Sequence, residues 1–261
     1  MQKQLVLFRD LGKMDYKTAW DLQEDLLRRN VLIKTEERNK EVQNSNSETP
    51  ITPTNAESIS TTHHLLFVEH SPVYTLGKSG KIENVIIGED QRRKEGIEFF
   101  HTNRGGDITF HGPGQVVGYP IFDLEKFYTD IGRYLRELEE VIILTLNEYG
   151  IEAGRSPGET GVWIDAFEKG KERKICAMGV RCSRWITMHG FALNVNTDLR
   201  YFSGIVPCGI QNKNVTSIKE ELGHSVSEEE VKDKLKRNFE RVFDVTVKEE
   251  ITEDVESQQK N

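Results

Sequence analysis

The residues best suited to covalent chemistry are a cysteine and a lysine. Cys208 lies in Gly204-Ile205-Val206-Pro207-Cys208-Gly209-Ile210. Between a proline and a glycine it occupies a constrained loop rather than mid-strand, where exposure and backbone N–H groups suit a reactive thiol. An ordinary thiol, with a pKa near ~8.5, is mostly protonated at neutral pH. A neighbouring ammonium would stabilise its thiolate. Lys174 opens Lys174-Ile175-Cys176-Ala177-Met178-Gly179-Val180. In a strand, residues of equal parity share a face, so Lys174, Cys176 and Met178 point the same way. Each residue alone also has a structural reading: Lys174 as a snorkelling strand-edge side chain, Cys208 as a small buried filler. Cys176, on the face of Lys174, is a second candidate thiol.

Two further segments could surround a reacting group. Arg104-Gly105-Gly106-Asp107-Ile108-Thr109-Phe110-His111-Gly112-Pro113-Gly114-Gln115 holds four glycines and a proline in a dozen residues. Glycines let a ligand approach the backbone closely, although a tight pair of turns would need them too. The segment fits neither G-x-G-x-x-G nor a P-loop, so a nucleotide cradle is not indicated. Gly190-Phe191-Ala192-Leu193-Asn194-Val195-Asn196 is a small-residue strand end, which also suits a bulge or close strand packing.

The elements that must position these segments follow from periodicity. Leu5 to Phe8 is a short first strand, and Asp15 caps a helix with Tyr16, Ala19, Trp20, Leu26 and Leu27 on one face. From about 36 to 62 the composition turns to Ser, Thr, Asn, Glu and Pro and reads as a disordered insertion, a lid that orders on binding being the alternative. Leu65 to Val68 is a buried strand. Ile131 to Tyr149 is an amphipathic helix stopped by Gly150. Residues 161–164, 174–181 and 185–195 read as strands, with 165–173 an exposed loop. Ser227 to Glu230 forms a capping box ahead of Val231, Leu235, Phe239 and Val242. Val245 to Val247 is a last edge strand. Without strict β-α alternation, the fold class is α+β, a mixed sheet flanked by helices. One domain spans 1–251, with a polar tail over 252–261.

Composition narrows the function classes. The 261 residues carry 35 basic and 43 acidic side chains, a formal net charge of −8, which disfavours a general nucleic-acid binder. No apolar stretch approaches a bilayer span and the N-terminus does not read as a signal peptide, so no membrane partner is expected. Three cysteines, none in C-x-x-C spacing, suggest free thiols in the cytosol and no zinc site.

The segments RGGDITFHGPGQ, KICAMGV, HGFALNVN and GIVPCGI, in that order, resemble the octanoyltransferases of protein lipoylation. Val68 to Gly77 is similar to that family's early signature, and the resemblance runs from about Leu65 to Ile218. It implies a biotin/lipoate protein ligase-like fold. It implies transfer of octanoyl (or lipoyl) from acyl carrier protein to a lysine of lipoyl domains, those of 2-oxoacid dehydrogenase complexes and the glycine cleavage H protein. It implies Cys208 as nucleophile, Lys174 as the lysine that activates it, and acyl-binding residues Arg104, Gly105, Gly106, Asp107, Ile108, Thr109, Phe110, His111, Ala177, Met178, Gly179, Gly190, Phe191 and Ala192. No metal or nucleotide cofactor is required, and a monomer is expected. Lys174 is the candidate base for the incoming amine, with His111 as a substrate-orienting or proton-relaying alternative. Phe191 stands where the family has Leu, which would narrow the acyl tunnel. A local basic patch including Lys78, Lys81 and Lys213 would dock acidic partners. Two rival readings are an ATP-dependent lipoate–protein ligase of the same fold and a non-catalytic binding module.

Overall fold

The computed structural model describes residues 3–45, 60–206 and 214–250, with side chains up to residue 40 in the first stretch. Strand β1 (Gln4–Lys13) leads into helix α1 (Tyr16–Ser45). Asp15 caps α1, its Oδ1 accepting from the Thr18 N–H at 2.9 Å. Tyr16, Ala19, Leu26 and Leu27 form the buried face. Strand β2 (His63–Glu69) holds the apolar run Leu65 to Val68, wholly buried. Then follow β3 (Val73–Leu76), α2 (Glu89–Lys94), β4 (Glu98–His101), β5 (Ile108–His111) and β6 (Gln115–Ile121). Helix α3 (Ile131–Asn147) starts at Asp130, whose Oδ1 accepts from the Arg133 N–H at 2.9 Å. Gly150, at φ +72°, takes the left-handed turn beyond its end.

The second half supplies β7 (Val162–Ile164), β8 (Arg173–Ser183), β9 (Ile186–Asn194) and β10 (Asn214–Val215). It closes with α4 (Ile218–Leu222), α5 (Glu228–Phe243) and β11 (Val245–Glu249). At the start of α5, Ser227 Oγ accepts from the Glu230 N–H at 3.3 Å. The Glu230 carboxylate pairs with Lys234 at 2.8 Å.

Eight strands form the main sheet in the order β10-β8-β9-β6-β2-β1-β11, with β7 also paired to β8. The sheet is mixed: β1 runs parallel to β2 and β11, whereas β2/β6, β6/β9 and β8/β9 are antiparallel. A second sheet has the order β4-β3-β5. On one face of the main sheet, α3 and α5 bury Leu138, Val141, Leu235 and Phe239 against Phe67, Phe191 and Leu193. On the other, α1 packs Ala19, Leu26 and Leu27 over Leu66, Val117, Ile121 and Met188. A smaller core under the second sheet gathers Tyr74, Ile108, Phe110 and Phe202. The class is α+β, as composition and periodicity indicate.

One boundary moves. Residues 36–45, read from composition as the start of an insertion, continue α1. Of the described side chains there, Glu36, Arg38, Asn39 and Lys40 are exposed, as suits the end of a long helix. That helix is tied to the body by Lys34, whose Nζ lies 2.8 Å from Asp123 Oδ1 and 2.9 Å from the Arg184 carbonyl. At the far end of the segment, Thr61 Oγ1 donates to Asp123 Oδ2 and the Thr62 N–H to Asn30 Oδ1, each at 2.9 Å. Those residues therefore belong to the body. Residues 46–59 of the expected insertion, and the tail from 251, lie outside the described residues. Among the described residues, no helix is long and apolar enough to cross a membrane.

Candidate active site

The hairpin of β8 and β9 sets two of the sequence segments side by side. Ala177 pairs with Ala192, Met178 with Phe191 and Gly179 with Gly190. The glycine-rich segment is pinned to the same hairpin, the Gly105 N–H donating to the Val180 carbonyl at 2.9 Å. These approaches require glycine. A Cβ on Gly179 would lie 2.6 Å from the Gly105 carbonyl oxygen, and one on Gly190 2.2 Å from that of Gly118. Between these segments is a cavity of about 550 Å³, a usual size for a small-molecule site.

Of the residues expected to bind an acyl group, Arg104 to Thr109, His111, Ala177 to Gly179 and Gly190 to Ala192 all line this cavity, and so does Lys174. Phe110 does not. Its ring is buried in the smaller core, stacked on Tyr201 at 4.6 Å between centroids. It alternates along β5 with Thr109 and His111, so it takes the opposite face of the strand. Phe191 belongs to the cavity wall and to the main core at once. Its ring stacks on Phe239 and lies so close under Gly118 that a Cβ there would be 2.2 Å from it.

Lys174 is the second residue of β8 and is only 9% exposed. Its Nζ stands 4.5 Å from the ring centroid of Trp163, its antiparallel partner on β7, within range for a cation–π contact. Cys208 lies outside the described residues, as does Lys213. The chain on either side of that segment is fixed. The Val206 N–H donates to the Asn84 carbonyl at 2.8 Å, and the chain re-enters as β10 with Val215 opposite Lys174. The Thr216 N–H then donates to the Lys174 carbonyl at 2.9 Å. Of the other two thiols, Cys176 is fully buried, and burial pushes it far above the ordinary thiol range. Burial also raises Cys182, which is half-buried. Neither is held as a thiolate.

A hydrogen-bond chain not singled out by sequence reasoning runs through the cavity wall itself, since Arg104, His111, Gln115 and Asn194 all line the cavity. Arg104 Nη2 donates to Thr75 Oγ1 at 3.0 Å. Thr75 Oγ1 lies 3.2 Å from His111 Nε2, and His111 Nδ1 lies 2.9 Å from Gln115 Oε1. Gln115 Nε2 donates to Asn194 Oδ1, and Asn194 Nδ2 to the Thr216 carbonyl, both at 2.9 Å. Because the Gln115 oxygen can only accept, His111 Nδ1 carries the proton and Nε2 accepts from Thr75. Both ring nitrogens are therefore committed, which argues against His111 as a proton relay. Burial, with His70 and Arg104 adding to it, holds His111 well below the ordinary histidine range. In the same way His70 donates from Nδ1 to the Met14 carbonyl at 2.9 Å and accepts at Nε2 from Tyr119 at 2.7 Å. Burial lowers it to about 4. The signal in the sequence was slight: one glutamine and one asparagine, each at the end of an apolar strand.

The molecule's relatives fit this arrangement. Residues 15–240 match the model of the lipoyl protein ligase A/B catalytic domain. The chain belongs to that family. It is 52% identical to the octanoyltransferase of Flavobacterium johnsoniae over 95% of this chain and 100% of that one. It is also 52% identical to the octanoyltransferase of Christiangramia forsetii, over 92% and 96%. It is accordingly an acyltransferase. The fold recurs in a lipoate-protein ligase A bound with ATP, with TM-score 0.64, 17% identity and coverage of 98% and 92%. It recurs too in a bipartite lipoate protein ligase from Thermoplasma acidophilum, with TM-score 0.62, 19% identity and coverage of 98% and 90%. Among the described residues, no group of three or more His, Cys, Asp or Glu side chains is placed to hold a metal ion.

Proposed function

We propose that this enzyme moves an octanoyl group from the thioester of an acyl carrier protein to the ε-amine of a lysine on lipoyl domains, through a thioester on Cys208. The observation that carries this reading is the cavity walled by the glycine-rich segment and the β8–β9 hairpin, with Lys174 in its lining and the chain from Cys208 re-entering the sheet opposite that lysine. The Cys208 thiol gives its proton to Lys174, and the thiolate attacks the donor carbonyl. The carrier sulfur leaves and takes that proton back as a thiol, and Lys174 is neutral again. The acceptor amine then attacks the acyl-enzyme, Lys174 takes up its proton, and the Cys208 sulfur departs as the amide forms. Amide formation at the expense of a thioester drives the second half. The two other thiols are buried or half-buried and raised, which favours Cys208.

Intact-mass measurement after incubation with octanoyl carrier protein tests the reading. The wild-type chain should gain one octanoyl group, mapped to Cys208, and Cys208→Ser should gain none by that route. An adduct on Cys176 would refute the assignment. The absence of any adduct would favour a binding module. The fold shared with a ligase that binds ATP supports a second reading, activation of a free acid as an adenylate. Transfer from the carrier protein in the complete absence of ATP excludes it, and strict dependence on ATP would replace our proposal with it.

A further inference from the structure

The segment from Lys78 to Ile87 ties the glycine-rich wall of the cavity to Gly204 and Ile205. The Lys78 N–H donates to the Arg104 carbonyl at 3.0 Å and the Ser79 N–H to that of Gly106 at 3.2 Å, so this end rides on the glycine-rich wall. At its other end the Ile86 and Ile87 N–H groups donate to the Gly204 carbonyl at 2.9 and 3.0 Å, and Val85 bridges to Ile205. The strap thus stands beside the residues that precede the segment holding Cys208. Its outer side chains are unusual for a chain of net charge −8. Ile82 and Ile86 are 53% and 61% exposed, and Lys78 and Lys81 are exposed with them. Nearby carboxylates are Glu83, exposed on the same turn, Asp107, which Asn84 Nδ2 engages at 2.6 Å, and Glu89 and Asp90 just past Ile87; Glu95 and Asp198 line a second cavity beside Ile86, with Arg200.

We infer that this strap is the docking surface for the acyl donor, a carrier protein that offers its thioester on a phosphate-bearing arm. The inference rests on the function proposed above and identifies which of the two protein substrates uses this side of the cavity. The choice follows from charge. The donor's arm carries a phosphodiester, an anion that Lys78 and Lys81 attract. The acceptor presents a lysine ammonium, which the same two cations repel. The isoleucines supply apolar area that a protein surface can cover, and the lysines around them steer the approach.

Single-turnover acylation of the full chain separates docking from chemistry. Two donors are compared: octanoyl carrier protein and the small thioester octanoyl-N-acetylcysteamine, which has neither phosphate nor protein. In K78E/K81E and in I82D/I86D, acylation by the carrier protein should slow by about tenfold or more, and acylation by the small thioester should stay within about twofold of wild type. Salt should slow the wild-type reaction with the carrier protein more steeply than that of K78E/K81E. Unchanged rates with both donors would overturn the assignment. An equal loss with both would also overturn it, because the strap would then serve the chemistry or the fold. So would an unimpaired donor step with slowed discharge to an isolated lipoyl domain, because the surface would belong to the acceptor. If wild type is acylated by neither donor, the proposed function itself fails, and that outcome is distinct from the others.

Discussion

Lys174 has two tasks in the proposed reaction, to favour a thiolate and to take a proton from the attacking group, and the two tasks can be separated. Lys174→Arg keeps a cation beside the cysteine but cannot give up its charge near neutral pH. A thiolate already paired with the arginine cation needs no base to attack, so acyl-enzyme formation should persist within roughly tenfold of wild type, while transfer to the acceptor lysine falls by about 10² or more, the range general base catalysis contributes. Rapid-quench mass spectrometry reads both steps, and equal loss in both would show that the cation alone matters. Cys176 has a different standing. It is fully buried and its Sγ contacts the Ala177 carbonyl at 3.6 Å, so Cys176→Ala should leave the adduct on Cys208 and cost about 1 kcal/mol of stability.

At the scale of the elements, the site depends on how closely strands approach one another. A Cβ on Gly190 would fall 2.2 Å from the Gly118 carbonyl oxygen, a backbone atom of the next strand. Gly190→Ala should therefore cost about 1–3 kcal/mol, as overpacking does, whereas Gly154→Ala, with nothing within 4 Å, should stay within about 0.5 kcal/mol. Urea midpoints compare the two, and equal values would mean that β6 and β9 can part without cost. The glycine clusters made these close approaches legible in the sequence, whereas the cavity wall was legible only through the family resemblance. Strand parity, applied to β5, would also have removed Phe110 from it. The register of the β8–β9 hairpin was not legible. Its two-residue turn, Arg184-Trp185, has both residues left-handed, at φ +50° and +66°, yet it lacks the Asn-Gly or Asp-Gly pair that announces such turns. Tertiary bonds hold it instead: the Trp185 carbonyl accepts from Leu124 at 2.8 Å, and Arg184 donates to Thr35 on α1. The length of α1 was hidden for a related reason. Its last described turns have polar composition, and their anchor, Lys34 on Asp123, links positions 89 residues apart.

Across the whole molecule, the buried histidines couple the fold to pH. Burial lowers His63 and His70 to about 4, and His189 to about 3. For His63 the charge of Asp123 opposes that effect, and for His189 Arg104 and Arg181 reinforce it. Each of the three packs against an aromatic ring, His63 on Phe122, His70 on Tyr16 and His189 on Trp20. In the unfolded chain each would titrate near 6.5. Below that value the unfolded chain binds protons that the folded one refuses, so stability falls as pH drops and is fully present above it. Each histidine contributes a slope of up to about 1.4 kcal/mol per pH unit between 6.5 and its folded value, and these three together about 4 kcal/mol per unit, to which His111, lowered in the same way, adds. Most carboxylates remain ionised down to about pH 4.5, so the interval from 6 to 5 isolates the histidines. The urea midpoint should therefore fall steeply across that interval. His70→Gln, which can still donate to the Met14 carbonyl and accept from Tyr119, should make the fall shallower by about one proton's worth. A midpoint that stays level from pH 7 to 5 in the wild-type chain would show that these imidazoles take up protons in the folded state, and the cavity wall to which His189 belongs would then be open to water.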